Sequence, residues 1–263
     1  FFTDQVLRNQ NLDIHQGNTD SEGQVEISGS ENLYVDMIIK KEGYYDSKKR
    51  HGVRGNAGNN VDVLLRPKRN PIAMFAKKIK LIFLERGREF GFDFLKGDFV
   101  LPGHSGSHAD VKIMFERNLV TNNNFTQTVS LSFINPIDGI AEMKPKKAWE
   151  VSDFKTPYDA AIDGYTPKFR LTYTRDSSGT SRNNVNIPLF VRLRSNSDKM
   201  GNIESAYYCK IHTGIELFGV LADRPSLQMT YFCNPTPNDR NLEFDPKQNL
   251  LRGLNPTERV SQP

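Results

Sequence analysis

Apolar and polar residues alternate in short runs along most of this chain, and the runs break at Gly, Asn, Asp and Pro. "LYVDMIIKK" (33–41), "ADVKIMFER" (109–117), "TQTVSLSFI" (126–134) and "KFRLTYTR" (168–175) set apolar side chains at every second position or crowd β-branched residues together. That is the pattern of half-buried strands. "QVEIS" (24–28), "NVDVLLR" (60–66), "KIKLIFL" (78–84), "GIAEMK" (139–144), "IPLFVRLRS" (187–195), "IESAYYCKIHTGIELF" (203–218) and "SLQMTYFCN" (226–234) extend the series. A helical period is nearly absent. "TDSEGQ" (19–24) and "TRDSSGTSR" (174–182) have the Asp, Ser and Gly content of tight turns. Neither has the carboxylate spacing of an EF-hand loop.

So many short strands predict an all-β fold built from β-sandwiches. A boundary is expected in "RPKRNPIAM" (66–74), where Pro67 and Pro71 cannot donate to a ladder. This gives a first domain over 1–68, a larger antiparallel sandwich with long loops over 69–245, and an extended tail over 246–263. Within the larger domain, 144–168 is long for a plain connection, and a short helix is expected near Pro157–Ile162. In the final stretch, 234–263, Leu242, Phe244, Leu250 and Leu251 are expected to anchor the chain along the sandwich, with the last residues loose.

Composition adds little that contradicts this. Seventeen Phe and nine Tyr among 263 residues can fill substantial cores. The net charge is +4. Basic residues cluster at Lys48–Arg54, Arg66–Arg69 and Lys77–Lys80, and they read as solvated loop and strand-edge charges. Nucleic acid is not expected as a partner. No apolar run approaches the roughly 20 residues of a membrane helix, so no transmembrane segment is expected. The chain opens "FFTDQVLRNQ", as a processed chain or a fragment would.

Cys209 and Cys233 belong to no C-x-x-C pair, so they do not read as zinc ligands. A hairpin centred near Leu221 sets them opposite each other. They could form a disulfide or remain two buried thiols.

The most chemically suggestive stretch is "GHSGSHAD" (103–110). As a nucleophile elbow it fails, because the last glycine is missing and a strand follows. As a metal loop it would combine His104 and His108 with Asp110 or His212. As a polar connection between strands it needs nothing further, and this is the reading adopted. Asp93, Asp98, Glu142 and Glu150 could supply paired carboxylates for glycoside hydrolysis, though sequence alone prefers no pair. Trp149, Tyr158 and Tyr165 could form a sugar-stacking surface, which would make a polysaccharide a partner. No phosphate loop or dinucleotide fingerprint is present, and no cofactor is expected.

"TDSEGQVEIS" (19–28), "LYVDMIIKKEGYYDS" (33–47) and "NVDVLLRP" (60–67) resemble the carboxypeptidase-regulatory-like, transthyretin-like domain. Thr19, Asp20, Gly23, Gly43 and Tyr44 fit the family's turn and its Gly-Tyr strand end. The resemblance implies a transthyretin-like β-sandwich, or Ig-like sandwich, lacking its first strand. The open edge would then invite self-assembly or a surface partner, unless Phe1–Ile14 pairs along it. "NPIAMFAKK" (70–78), "GFDFLKGDFVLPG" (91–103) and "NPTPNDRNLEFDP" (234–246) are similar to a group of bacterial extracytoplasmic proteins without an established activity. That resemblance implies export and carries over no catalytic residue. The expectation is a non-enzymatic exported β-sandwich protein, periplasmic or at the cell surface, with a binding or assembly role. The alternative is a carbohydrate-binding module or carbohydrate-active enzyme.

Overall fold

The computed structural model describes residues 2–3, 14–28, 34–53, 59–83, 87–144, 146–183, 187–218 and 225–263. Strands hold 51% of the chain and helix 1%, so the protein is all-β. The chain divides into two compact units, one of 1–69 with 145–155 and one of 70–144 with 156–263. Residues 145–155 thus belong with the N-terminal unit, an arrangement that a single cut between 66 and 74 does not capture.

Among the described residues the first unit holds one sheet. Its strands are β1 (Phe2–Thr3), β2 (Ile14–His15), β3 (Tyr34–Ile39) and β4 (Ser47–Gly52), in the order β2-β1-β3-β4. β1 lies between β2 and β3, so Phe2 and Thr3 pair on both sides and do not form an open edge. Residues 4–13, which the expectation of an open N-terminal edge also involves, lie outside the described residues. Two expected strands are not ladders. In 24–28, Asp20 gathers the turn, its carboxylate accepting the N–H of Glu22 and of Gln24, and no strand follows. In 60–66, contact narrows to a bridge between Tyr44 and Pro67, flanked by the Tyr45 N–H donating to the Arg66 carbonyl and the Lys68 N–H donating to the Gly43 carbonyl. A 3-10 turn over Lys147–Trp149 sits in this unit. Val151 then accepts the Lys48 N–H, which covers part of β4.

The second unit holds β5 (Ile72–Ile82), β6 (Glu89–Asp93), β7 (Asp98–Phe99), β8 (Val111–Thr121), β9 (Asn124–Phe133) and β10 (Gly139–Glu142). After these come β11 (Lys168–Asp176), β12 (Gly179–Asn183), β13 (Leu189–Ser197), β14 (Ile203–Phe218), β15 (Ser226–Cys233) and β16 (Phe244–Asn249). They form two six-stranded sheets, ordered β10-β13-β14-β15-β5-β16 and β12-β11-β9-β8-β6-β7. Alternation places Leu189, Val191 and Leu193 of β13 and Ile79 and Leu81 of β5 in one apolar cluster with Ile113 and Phe115 of β8 and Val129 and Leu131 of β9. That cluster is the filling of a sandwich.

The outer face of the first of these sheets is covered too. Ala160 and Leu242 join Ala141, Phe190 and Tyr208 in a second cluster. Phe244 and Val260 join Met74, Ala76 and Phe232 in a third. The C-terminal stretch is therefore packed, not a loose tail, with β16 adding to β5 in parallel and Val260 buried. The sandwich is mixed rather than purely antiparallel for the same reason. The helix expected near Pro157–Ile162 is absent. Ala160 donates to Arg240 and Leu242 donates to Tyr158, so this stretch pairs with 240–242 instead. Cys209 stands opposite Cys233 in the β14–β15 ladder, and the two form a buried disulfide.

Candidate functional site

The polar groups singled out by their chemistry gather at one end of the second unit, around the segment 93–110. β6 ends at Asp93, whose Oδ1 accepts the N–H groups of Leu95 and Lys96, both at 3.1 Å. Gly97, at φ 67°, completes the reversal into β7. Asp98 then organises the following loop. Its Oδ1 contacts His104 Nδ1 at 2.8 Å, and its Oδ2 accepts the Ser105 N–H and hydroxyl at 2.8 and 2.9 Å. Gly106 runs so close to β7 that a Cβ there would lie 2.6 Å from the Phe99 carbonyl oxygen, which only glycine permits. The loop returns to Asp93, whose Oδ2 takes the N–H of Ser107 and of His108. "GHSGSHAD" is thus the connection between β7 and β8, strung on two aspartates.

Asp110 closes the segment and faces a feature of the opposite sheet. The β13–β14 register slips between Leu193 and Asn196. Arg194 sits there at φ 51°, a region that residues other than glycine rarely occupy. Buried Asp138 holds this bulge by accepting the N–H of Arg194 at 2.6 Å and of Ser195 at 2.9 Å. A bulge re-aims the side chain it carries. The Arg194 guanidinium reaches across to the other sheet, with Nε to Asp110 Oδ1 at 2.8 Å and Nη2 to Asp93 Oδ1 at 2.7 Å. Asp110 Oδ2 also accepts the Phe94 N–H.

Burial opposes ionisation of Asp93, but the N–H groups of Lys96, Ser107 and His108 and the Arg194 charge outweigh it, and its pKa is lowered. Asp98 is likewise lowered: the bonds from Ser105, His104 and Phe99 overcome its burial. At Asp110 burial wins over Arg194 and the Phe94 N–H, and the pKa is raised. Burial first, then the three aspartates, push Tyr231 well above its ordinary value. The Tyr231 hydroxyl has no hydrogen-bond partner among the described residues.

Asp93, Asp110 and Arg194 are placed to hold the two sheets together. A general acid or base must reach its substrate, and the Asp93 and Asp110 side chains are 1% and 0% exposed. Their oxygens are already taken by backbone N–H groups and the guanidinium. The cluster is an ionic clamp between the two sheets, with the 93–110 loop fastened to it.

The other sequence candidates do not converge. His104 turns to Asp98, while His108 lies 3.8 Å from Asp110, so His104, His108 and Asp110 do not meet as a ligand set. Among the described residues no group of three or more His, Cys, Asp or Glu side chains could hold a metal ion. Glu150 belongs to the first unit and Glu142 to the second, so they form no pair within either. Trp149, Tyr158 and Tyr165, expected to share a stacking surface, are also split between units. The Arg66 guanidinium lies 4.2 Å over the Trp149 ring, and that of Arg192 lies 4.4 Å over Tyr165. The Tyr165 hydroxyl bonds the Ala161 carbonyl. Arg194, Asp138 and Tyr231 were not legible as site residues, because a bulge with a left-handed arginine leaves no compositional trace. Its one sequence signal is that Ser195 interrupts the apolar alternation of Leu189, Val191 and Leu193.

No protein-family model, curated protein or solved structure matches this chain.

Proposed function

We propose that this chain is a non-enzymatic β-sandwich protein of an extracytoplasmic compartment, periplasmic or at the cell surface, with a binding or structural role. The observation that carries the reading is the closure of the Asp93–Asp110–Arg194 cluster: both carboxylates are buried and engaged by backbone N–H groups and the guanidinium. The buried Cys209–Cys233 disulfide supports an oxidising compartment. The resemblance of 19–67 to transthyretin-like domains is consistent with this, and we take the first unit to be of that type. The carbohydrate reading has less support, since the guanidinium groups of Arg66 and Arg192 lie over the rings of Trp149 and Tyr165.

The test pairs a polysaccharide-hydrolysis panel with thermal melts of the native protein and Asp93→Asn. The expected result is no turnover by the native protein and a lower Tm for the variant. Turnover lost in Asp93→Asn without a change in Tm would overturn the reading. Free thiols at both cysteines in protein taken directly from the cell would overturn the compartment.

A further inference from the structure

The outer face of β5 and β15 is covered for only part of its length. Even-numbered residues of both strands point outward, since Ile79, Leu81, Leu227 and Met229 fill the sandwich. Met74, Ala76 and Phe232 lie under Phe244 and Val260. Beyond them that cover ends. Lys78 and Lys80 are exposed, Gln228 and Thr230 are half-buried, and the apolar clusters do not extend to them. Asn255–Glu258 bounds this bare stretch on the β5 side, where the Glu258 carbonyl accepts the Lys78 N–H.

The ladders order the bare stretch into rows. Ile82, Ser226 and Phe218 stand side by side, and Lys80, Gln228 and Glu216 form the next row. Lys78 and Thr230 follow, with Thr213 of β14 lining the same groove. In the first row Ile82 and Phe218 are 46% and 43% exposed on either side of the small Ser226. In the second, a cation and a carboxylate stand at the two ends with an amide midway. Neither Lys80 nor Glu216 forms an ion pair among the described residues. The end strands of a row lie about 10 Å apart by ordinary strand spacing.

We propose that this face is a contact between two copies of the chain, related by a two-fold axis that runs parallel to β15 over Gln228. Rotation about that axis exchanges the outer strands of each row. Lys80 of each copy then faces Glu216 of the other, Ile82 faces Phe218, and Gln228 faces Gln228. The face is its own complement, as an isologous dimer requires. Stacked sheets stand about 10 Å apart, a gap that a lysine and a glutamate side chain span from its two sides. An axis laid across the strands would set Lys80 on Lys80 and Glu216 on Glu216, so the charges select one orientation. A strongly acidic or basic partner would meet a like charge at one end of the row, which favours a second copy over either. The same rotation carries Asn255–Glu258 to the flank of residues 213–218 in the other copy. There β13 leaves room, because its ladder with β14 runs only from Ser197↔Ile203 to Leu189↔Ile211. Three short rows are fewer residues than the roughly 20–30 a side of a stable interface, so the dimer is weak, with Kd on the order of 100 µM.

This contact stands apart from the clamp and from the question of compartment. Its test is sedimentation equilibrium of the full chain from about 10 µM to about 1 mM. The native chain is expected to pass from monomer to dimer across that range. Lys80→Glu and Glu216→Lys each bring like charges together at both ends of the row, and each variant alone should stay monomeric. Mixed in equal amounts, the two variants regain both opposite-charge contacts and should associate as the native chain does. Phe218→Ser should weaken the dimer by about tenfold. Thermal melts at about 10 µM, where the native chain is monomeric, check that each variant is folded. The proposal is overturned by a native chain that stays monomeric up to about 1 mM, by single charge variants that still dimerise, by an equal mixture that stays monomeric, or by a dimer that Phe218→Ser leaves unchanged.

Discussion

Arg194 holds two buried carboxylates from a backbone conformation that disfavours any side chain. Removing one member of such a group leaves charge without compensation, which is worse than never having had the group. Arg194→Met is therefore expected to lower the unfolding free energy by roughly 3 kcal/mol. The triple change Asp93→Asn/Asp110→Asn/Arg194→Met should lose less than the single one, and urea titration of both decides it. The same residues set the acid limit. Asp93 and Asp98 are depressed below 3.8, so their contribution is complete above that pH and is lost as pH falls through their folded values. Asp110 is raised and acts with the opposite sign, its contribution weakening as pH rises. Melts across pH 2–6 should show a fall in Tm beginning below about 3.8, with a shallower slope in Asp93→Asn. Tyr231 presents the reverse case, a buried hydroxyl without a partner. Tyr231→Phe keeps the ring contacts with Phe92 and Phe94, and it should raise the unfolding free energy by about 1 kcal/mol in the same titration.

Among the elements, β14 and β15 carry the one covalent tie. The disulfide spans 24 residues of sequence, and closing a loop of that length in the unfolded chain is worth about 3 kcal/mol. A double Cys209→Ala/Cys233→Ala variant should lose about that much, and non-reducing peptide mapping of the native protein should recover the linked pair. The cysteines do face each other, as a hairpin centred near Leu221 sets them, but next to the turn Phe218 pairs with Ser226, and the register slip between Ile211 and Ile215 is what brings Cys209 opposite Cys233. β8, β9, β11 and β13 were legible in the sequence, since each buries one face and so must alternate. What escaped was pairing with no local signal. β16 joins β5 in parallel, and nothing in "FDPKQN" points to a strand so distant in sequence. "NVDVLLR" carries strand-forming residues, but among the described residues it joins no ladder. In the site, Asp93, Asp98 and Asp110 could be noticed as acids. Their role became visible only once the bulge at Arg194 brought the opposite sheet to them.

At the scale of the molecule, the three apolar clusters found among the described residues all lie in the second unit. A chain of 70–263 with 145–155 replaced by a flexible linker should therefore fold, showing dispersed amide resonances and one cooperative thermal transition. Broad, collapsed spectra would contradict this. The first unit is differently placed, because part of it is written elsewhere in the chain. Arg66 donates to the Phe154 carbonyl at 2.6 Å, and β4 is met by Val151. On the ribosome those partners emerge only after β5 through β10 have been made. At roughly 5–20 residues per second, the N-terminal sheet waits several seconds with that edge of β4 uncovered. The gene's order thus leaves a nascent chain with its basic edge exposed while the sandwich is still half synthesised, and protection during that interval must come from outside the chain or from the charges on the edge itself.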